Sequence, residues 1–343
     1  MTVPERAQPR KPRRLGLYGP FVALLAFALA WSAGWLWLRG ETLGRLDQAR
    51  TSLAASGHEL SWASQAVSGF PFRLDVDLAG VHLRDASGWA LAVPRLNAEA
   101  SVFAPTHWVA VAPDGVTVTR KVGGQVIVKA RVLRASLSGL GDYPPRLSVE
   151  GLDLTFTAAP GANPFFVTAA DALHLHTRAG PGDRGAVYFE LDRAAAPLSG
   201  LMGRIAAGKP VSLAADALYS HAAALAGPDW ASAVRAWSAA GGALKVRRLR
   251  VAAGEALLDA HSGTLTVDDD GRLVGSLGAS LRQAPRALAV MGRQGSLAPE
   301  AAGAAAEVVG ARSGGAVAAV TLDFQAGRTT LGPAAIGPSP KVY

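Results

Sequence analysis

From Leu17 to Leu38 the chain reads LYGPFVALLAFALAWSAGWLWL, without a charge, between Arg13 and Arg14 on one side and Arg39 on the other. At about 1.5 Å per residue, a helix of this length reaches roughly 33 Å, enough to cross a hydrocarbon core about 30 Å thick. Residues 1–16 form a basic tail in which Arg6, Arg10, Lys11, Arg13 and Arg14 stand against Glu5. The positive-inside rule keeps such a tail in the cytoplasm. Trp31, Trp35 and Trp37 crowd the far end, where indoles favour the membrane–water interface. The expected layout is therefore a transmembrane helix over 17–38, with everything after Arg39 on the other side. Ala28-Leu29-Ala30 also imitates a small-x-small cleavage site, so a signal peptide cut near Ala30 is the competing reading. The apolar run continues to Leu38, past the usual signal core of about 7–15 residues, and that length favours an anchor.

The rest of the 343 residues is long enough for one large or two ordinary domains. Half of the chain is hydrophobic and 17% is charged, so the exported part can bury a core. Much of the formal charge of +8 sits in the tail, and no basic stretch is interleaved with aromatic residues. Nucleic acid is accordingly not an expected partner. The absence of cysteine excludes thiol catalysis, Cys-ligated zinc, disulfides and lipoprotein acylation.

After the anchor, residues 39–57 read as a juxtamembrane helix, with Leu43, Leu46, Arg50 and Leu53 at helical spacing and Gly57 placed to end it. From His58 the period changes to two. Phe72, Leu74, Val76 and Leu78 take one face and Arg73, Asp75 and Asp77 the other. The same alternation fills Arg95–Val102, Val116–Val118, Gln125–Val132 and Arg146–Thr157, with Pro113-Asp-Gly115 and Gly123-Gly124 as hairpin-type breaks. Connections this short leave no room for crossover helices and predict an antiparallel sheet. Pro71–Leu83 parallels Pro145–Leu154, each followed by another alternating strand, and Lys245–Val251 with Gly254–Asp259 resembles a third copy. A strand-pair module repeated along one sheet is one explanation; chance matches between Gly-punctuated strands are the other. Helical insertions are expected at about 194–240 and 285–309, built on Ala196–Ile205, Leu213–Leu225, the Trp230/Val234/Trp237 stripe and Pro285–Val309. The β-rich domain thus spans 58–334, and residues 335–343 read as a tail without periodicity.

Candidate chemistry is sparse. Gly203–Pro210 falls one residue short of a phosphate-binding loop, because Pro210 replaces the hydroxyl that would hold magnesium. Asp268-Asp-Asp-Gly271 lacks the order of a calcium loop and sits where a hairpin turn belongs. His174 and His176 share a strand face, as metal ligands would, with Asp171 near, but spacing supplies no third ligand. No catalytic, cofactor-binding or metal-ligating residue is assigned, no cofactor is expected, and the chain is not read as an enzyme. Lys245, Arg247, Arg248 and Arg250 form the densest basic run beyond the anchor. They are candidates for contact with anionic headgroups, or simply protect a strand edge.

Gly69-Phe-Pro-Phe-Arg-Leu74, Trp89-Ala-Leu, the hairpin Gly263–Gly275 and the terminal Leu331–Pro338 together resemble the bacterial domain of unknown function 2125 family. That resemblance implies a protein anchored in the bacterial inner membrane with its main domain in the periplasm. More remotely, the strand pairs are similar to those of AsmA-like proteins, which implies long curved sheets with an apolar groove and roles in envelope lipid transport. The fold expected is mainly β with helical insertions (α+β): a transmembrane helix followed by a curved, mostly antiparallel, AsmA-like sheet. The function expected is non-catalytic binding or transfer of a lipid-like ligand in envelope maintenance, with Phe72, Leu74, Val76 and Leu78 as lining residues. An envelope scaffold acting through anchor, helix or sheet edge is the alternative, and a hydrolase without a local signature is a third.

Overall fold

The computed structural model describes residues 15–197, 206–254, 256–282, 317–332 and 334–343. The expected helix at 285–309 lies outside them, as do nearly all of Ala196–Ile205 and the first part of Gly203–Pro210.

Helix α1 runs unbroken over Leu15–Ala55. The membrane and juxtamembrane helices read from the sequence are therefore one rod of roughly 60 Å. It stops where Gly57 turns to a φ of +85°, a left-handed conformation that other residues adopt only with strain. There the Gly57 N–H donates to Ala54 O and the His58 N–H to Leu53 O, at 3.1 and 2.8 Å. These two bonds close the orphan carbonyls of the last turn.

Strands β1 (Glu59–Ser61) and β2 (Ser64–Ser68) both pair with β3 (Arg73–Arg84), which pairs with β4 (Ala90–Ser101). Next come β5 (Trp108–Val111) and β6 (Val116–Arg120), which lie end to end along β4. Likewise β7 (Gly124–Lys129) and β8 (Val132–Ser138) lie end to end along β9 (Arg146–Ala158). Pro113–Gly115, expected as a hairpin, is instead a jog within one bent strand, because β5 and β6 run in the same direction against β4. Gly123-Gly124 does close a true hairpin between β6 and β7.

A plain meander follows: β10 (Ala169–Gly180), β11 (Arg184–Ala194), β12 (Val211–Ser220), β13 (Leu244–Ala253), β14 (Ala256–Val267), β15 (Leu273–Arg282), β16 (Val317–Gln325), β17 (Arg328–Leu331) and β18 (Ala334–Pro338). Every pairing in the 18-stranded sheet is antiparallel. The Leu213–Leu225 stretch, expected as a helix, is strand β12 followed by a 3₁₀ turn at Ala222–Ala224. Its alanines fit either period, and the free edges of β11 and β13 on both sides settle it as a strand. Among the described residues of the expected 194–240 insertion, Trp230–Ala239 forms a short helix, α2. Asp229 caps it by accepting from Ser232 N at 2.8 Å, which holds its carboxyl below the usual carboxylate range.

Adjacent strands turn by about 20–25°, so the steps from β3 to β12 accumulate roughly half a revolution. Pro228, beyond the lower end of β12, lies against Gly57 and accepts from Ala86 N at 3.4 Å, at the opposite end of β3 and β4. The sheet is coiled, with its apolar side inward.

Two lids sit on that side. The first is α1, whose Trp35 is buried with Leu74, Val76 and Leu78 and whose Leu38, Leu43 and Leu46 pack beside them. Trp31 Nε1 donates to Pro71 O at 3.0 Å, Trp35 Nε1 to Arg73 O at 2.9 Å and Arg39 Nε to Val67 O at 3.2 Å, stitching the helix to β2 and β3. The second lid is α2 with the chain's last residues. Trp230 Nε1 donates to Val342 O at 2.8 Å, Arg235 stacks over Tyr343, and Ser339, 1% exposed, donates to Leu273 O at 2.6 Å. Residues 335–343 are therefore part of the fold rather than a tail.

Trp35→Ala removes a buried indole and its bond to β3, whereas Trp37 is 68% exposed. In detergent micelles, Trp35→Ala lowers the unfolding free energy of the domain by about 3–5 kcal/mol. Trp37→Ala leaves it within about 0.5 kcal/mol, as denaturant titration followed by circular dichroism will report.

A candidate ligand-binding face

Cross-strand partners in an antiparallel sheet point to the same side. Starting from Val76, the partners in sequence are Ala98, Ala110, Ala135, Val149, Leu175, Phe189, Ala215, Leu249, Ala260, Ala279 and Val320. Not one is polar. At about 4.8 Å per strand this row is some 50 Å long. A parallel row runs Trp108, Leu137, Leu147, Thr177, Val187, Ala217 and Val246, with Thr177 its one polar member. The opposite face carries Arg134, Glu150, His174, Glu190, Ala214, Arg250, Asp259 and Ser280 in equivalent positions. The sheet is thus two-faced along most of its width.

Alternation survives the bends because left-handed residues reset it. Asp153 at φ 54° brings Gly151 and Leu154 to one side, and Arg193 at φ 44° does the same for Leu191 and Ala194. Each kink is clipped on the polar face: Arg131 to Asp153, and Arg193 to Asp171. Bulges of this kind bend a sheet and increase its twist.

Burial varies along the apolar row. Val76 is 3% exposed at the α1 end, and Ala260 and Ala279 are 0% and 4% exposed at the other. Between them Ala135, Val149, Leu175, Phe189 and Ala215 are only half-buried, and among the described residues no helix lies over them. Where this floor meets α2, a cavity of about 400 Å³ opens, lined by Tyr219, Trp230, Val234, Trp237, Leu265 and Val267 among others. Thr177 and Val187 belong both to its wall and to the floor, so the cavity and the floor are continuous. Burial pushes the Tyr219 phenol up from its ordinary value.

Leu74, Val76 and Leu78, expected to line a trough, are instead sealed beneath α1 at 1%, 3% and 7% exposure. Phe72 departs from them altogether. It lies in the turn before β3, is 59% exposed and packs tilted against Trp31, with ring centroids 6.0 Å apart. The half-buried floor on β8–β12 was not singled out in the sequence; its signal was the alternation itself, diluted by alanine.

The basic run is a polar-face feature. Arg248 and Arg250 both donate to Asp259 at 3.1 Å, Arg247 approaches Asp216 at 3.8 Å, and Lys245 is exposed. His174 and His176 stack with centroids 6.2 Å apart on the same face, while Asp171 is turned to Arg193. Asp268 to Gly271 form the β14–β15 turn, in which Asp268 accepts from Arg272 N at 2.7 Å. Among the described residues no group of three or more His, Asp or Glu side chains is gathered as a metal site.

A family model for uncharacterized proteins conserved in bacteria, DUF2125, matches residues 35–340. The chain belongs to the DUF2125 family. The DUF2125 match opens at Trp35, the first residue of α1 that is buried against the sheet, and ends within the locked C-terminal segment. Comparison with curated proteins gives no match, and comparison with solved structures gives none.

Arg248 first, and Arg250 with it, hold the Asp259 carboxyl below the usual carboxylate range. A depressed carboxylate stabilises the fold above its unfolded-state pKa and loses that contribution as pH falls through the folded value. Asp259→Asn will therefore cost up to about 1 kcal/mol at pH 7, with the gap to wild type closing in acid below about pH 4, as paired melting curves will show.

Proposed function

We propose that this protein is a membrane-anchored, non-catalytic carrier that holds a lipid-like apolar ligand along the inner face of its coiled sheet. The observation that carries the reading is the unbroken apolar row from Val76 to Val320, half-buried at its middle and continuous with the α2 cavity. The half-buried floor on β8–β12, roughly 20 Å across at about 4.8 Å per strand, suits an extended acyl chain, which needs area and no hydrogen bonds.

The anchor reading rests on α1. Tyr18, Phe21, Val22, Leu24, Leu25, Phe27 and Leu29 are each 57% exposed or more, so the helix's N-terminal part has no protein cover. Leaving such side chains in water forfeits roughly 2 kcal/mol apiece, and a bilayer removes that penalty. We place the basic tail in the cytoplasm and the sheet in the periplasm of the inner membrane, on the charge asymmetry around α1. Retention of the whole helix is checked by intact mass spectrometry of membrane-extracted protein: an N-terminus before Leu17 supports the anchor, and one at Trp31 marks a cleaved signal.

The ligand reading is tested by native mass spectrometry of the full chain released from detergent. Wild type will carry phospholipid-sized adducts. Leu175→Glu, on the floor, will lose at least tenfold of them, whereas His176→Glu, one residue on and on the other face, will keep them. Far-UV circular dichroism must match wild type in both variants. Absence of adducts from wild type contradicts the reading.

A further inference from the structure

Length arithmetic on α1 does not leave the sheet clear of the bilayer. A span of about 20 residues counted from Leu15, the first residue past Arg14, ends near Gly34. Yet two loops of the β domain reach α1 at Trp31 and Trp35. Phe72, before β3, lies 6.0 Å from the Trp31 ring, and Phe103, after β4, lies 5.8 Å from it. Phe70 meets Trp35 edge-on at 5.5 Å. These loop side chains remain 55%, 59% and 74% exposed for Phe70, Phe72 and Phe103. Aromatic residues bared in water at one rim of a sheet are unfavourable; at the depth of acyl chains and headgroups they are favoured. Between the loops and α1 lies an apolar cavity of about 490 Å³, walled by Phe27, Trp31, Trp37, Pro71, Val102 and Phe103. Just above it, Arg73 pairs with Asp75 and Glu99, charges suited to headgroup level.

We propose that the Phe70/Phe72/Phe103 rim is sunk into the leaflet on the domain's side, and that an acyl chain of a bilayer lipid occupies the cavity between this rim and α1. The occupant follows from continuity: the cavity wall is the same helix surface that is bare from Tyr18 to Ala30 and has only lipid to cover it. This inference rests on the anchor reading and adds a second contact with the membrane, so the sheet is held at a fixed height and tilt rather than swinging on a tether.

The absence of cysteine makes single-site labelling clean. Leu24→Cys, Phe103→Cys and Val122→Cys are each labelled with bimane. The full chain is then placed in nanodiscs of phosphatidylethanolamine and phosphatidylglycerol, with and without lipids spin-labelled at acyl position 5 or 12. Val122 is 80% exposed in the β6–β7 turn, some 35 Å up β4 from Phe103. We expect the label at 103 to be quenched at least threefold by position-5 lipid and shielded from aqueous iodide, the label at 24 to be quenched by position-12 lipid, and the label at 122 to respond to iodide alone. Quenching at 24 with position 103 behaving like 122 overturns the sunken rim and leaves the anchor standing. No quenching at 24 overturns the anchor, and the rim with it.

Discussion

A period of two, kept in phase across strand after strand, is the constraint on which the rest of this structure depends. A slip of one residue in any pairing would turn a strand's apolar set to the polar side. That it does not happen from Val76 to Val320 is owed to local devices. Bulges at Leu191/Ala194, Asp216/Ala217 and Ala260/Gly263 each insert a residue and return the next apolar side chain to the inner face. The kinks at Asp153 and Arg193 then cost backbone strain, which ion pairs on the outer face help to offset.

A sheet with one apolar face must cover it, and this one does so unevenly. Its first end is closed by the lower half of α1; α2 and the C-terminal residues cover the Val267 end of β14, and Ala260 and Ala279 lie in a separate buried cluster with Leu277, Leu322 and Phe324. In between, large side chains such as Leu175 and Phe189 stay half-buried. Coiling limits the exposure by turning that face inward, which brings Pro228 round to Gly57. The same coil gives the floor a shape that an extended apolar molecule could follow. On this account the stability of the ends and the openness of the middle come from one pattern.

Much of this was legible in the residues. The long apolar N-terminal helix, the change of period at His58, the Gly57 stop, the Asp268–Gly271 turn and the Trp230/Val234/Trp237 stripe all appear where spacing put them. Alanine obscured the rest. In β12, Ala214, Ala215 and Ala217 satisfy a helical and a strand pattern equally, and only pairing with β11 and β13 decides between them. Pro113–Gly115 carries every local mark of a hairpin, but a long neighbour in β4 keeps the chain running straight on. Phe72 continues the Leu74/Val76/Leu78 alternation on paper, yet it precedes the strand and answers to Trp31 instead. The half-buried floor was hidden for a related reason: it is a property of many strands together, and no single strand announces it.

The most direct test of a lipid held on the inner face is photocrosslinking with a phospholipid bearing a diazirine in its acyl chain, followed by peptide mapping of the full-length protein in membranes. The account predicts adducts at Val149, Leu175, Phe189 and Ala215, with none at His174, Glu190 or Arg250 on the reverse face. Adducts confined to α1, or shared equally between the two faces, would contradict it.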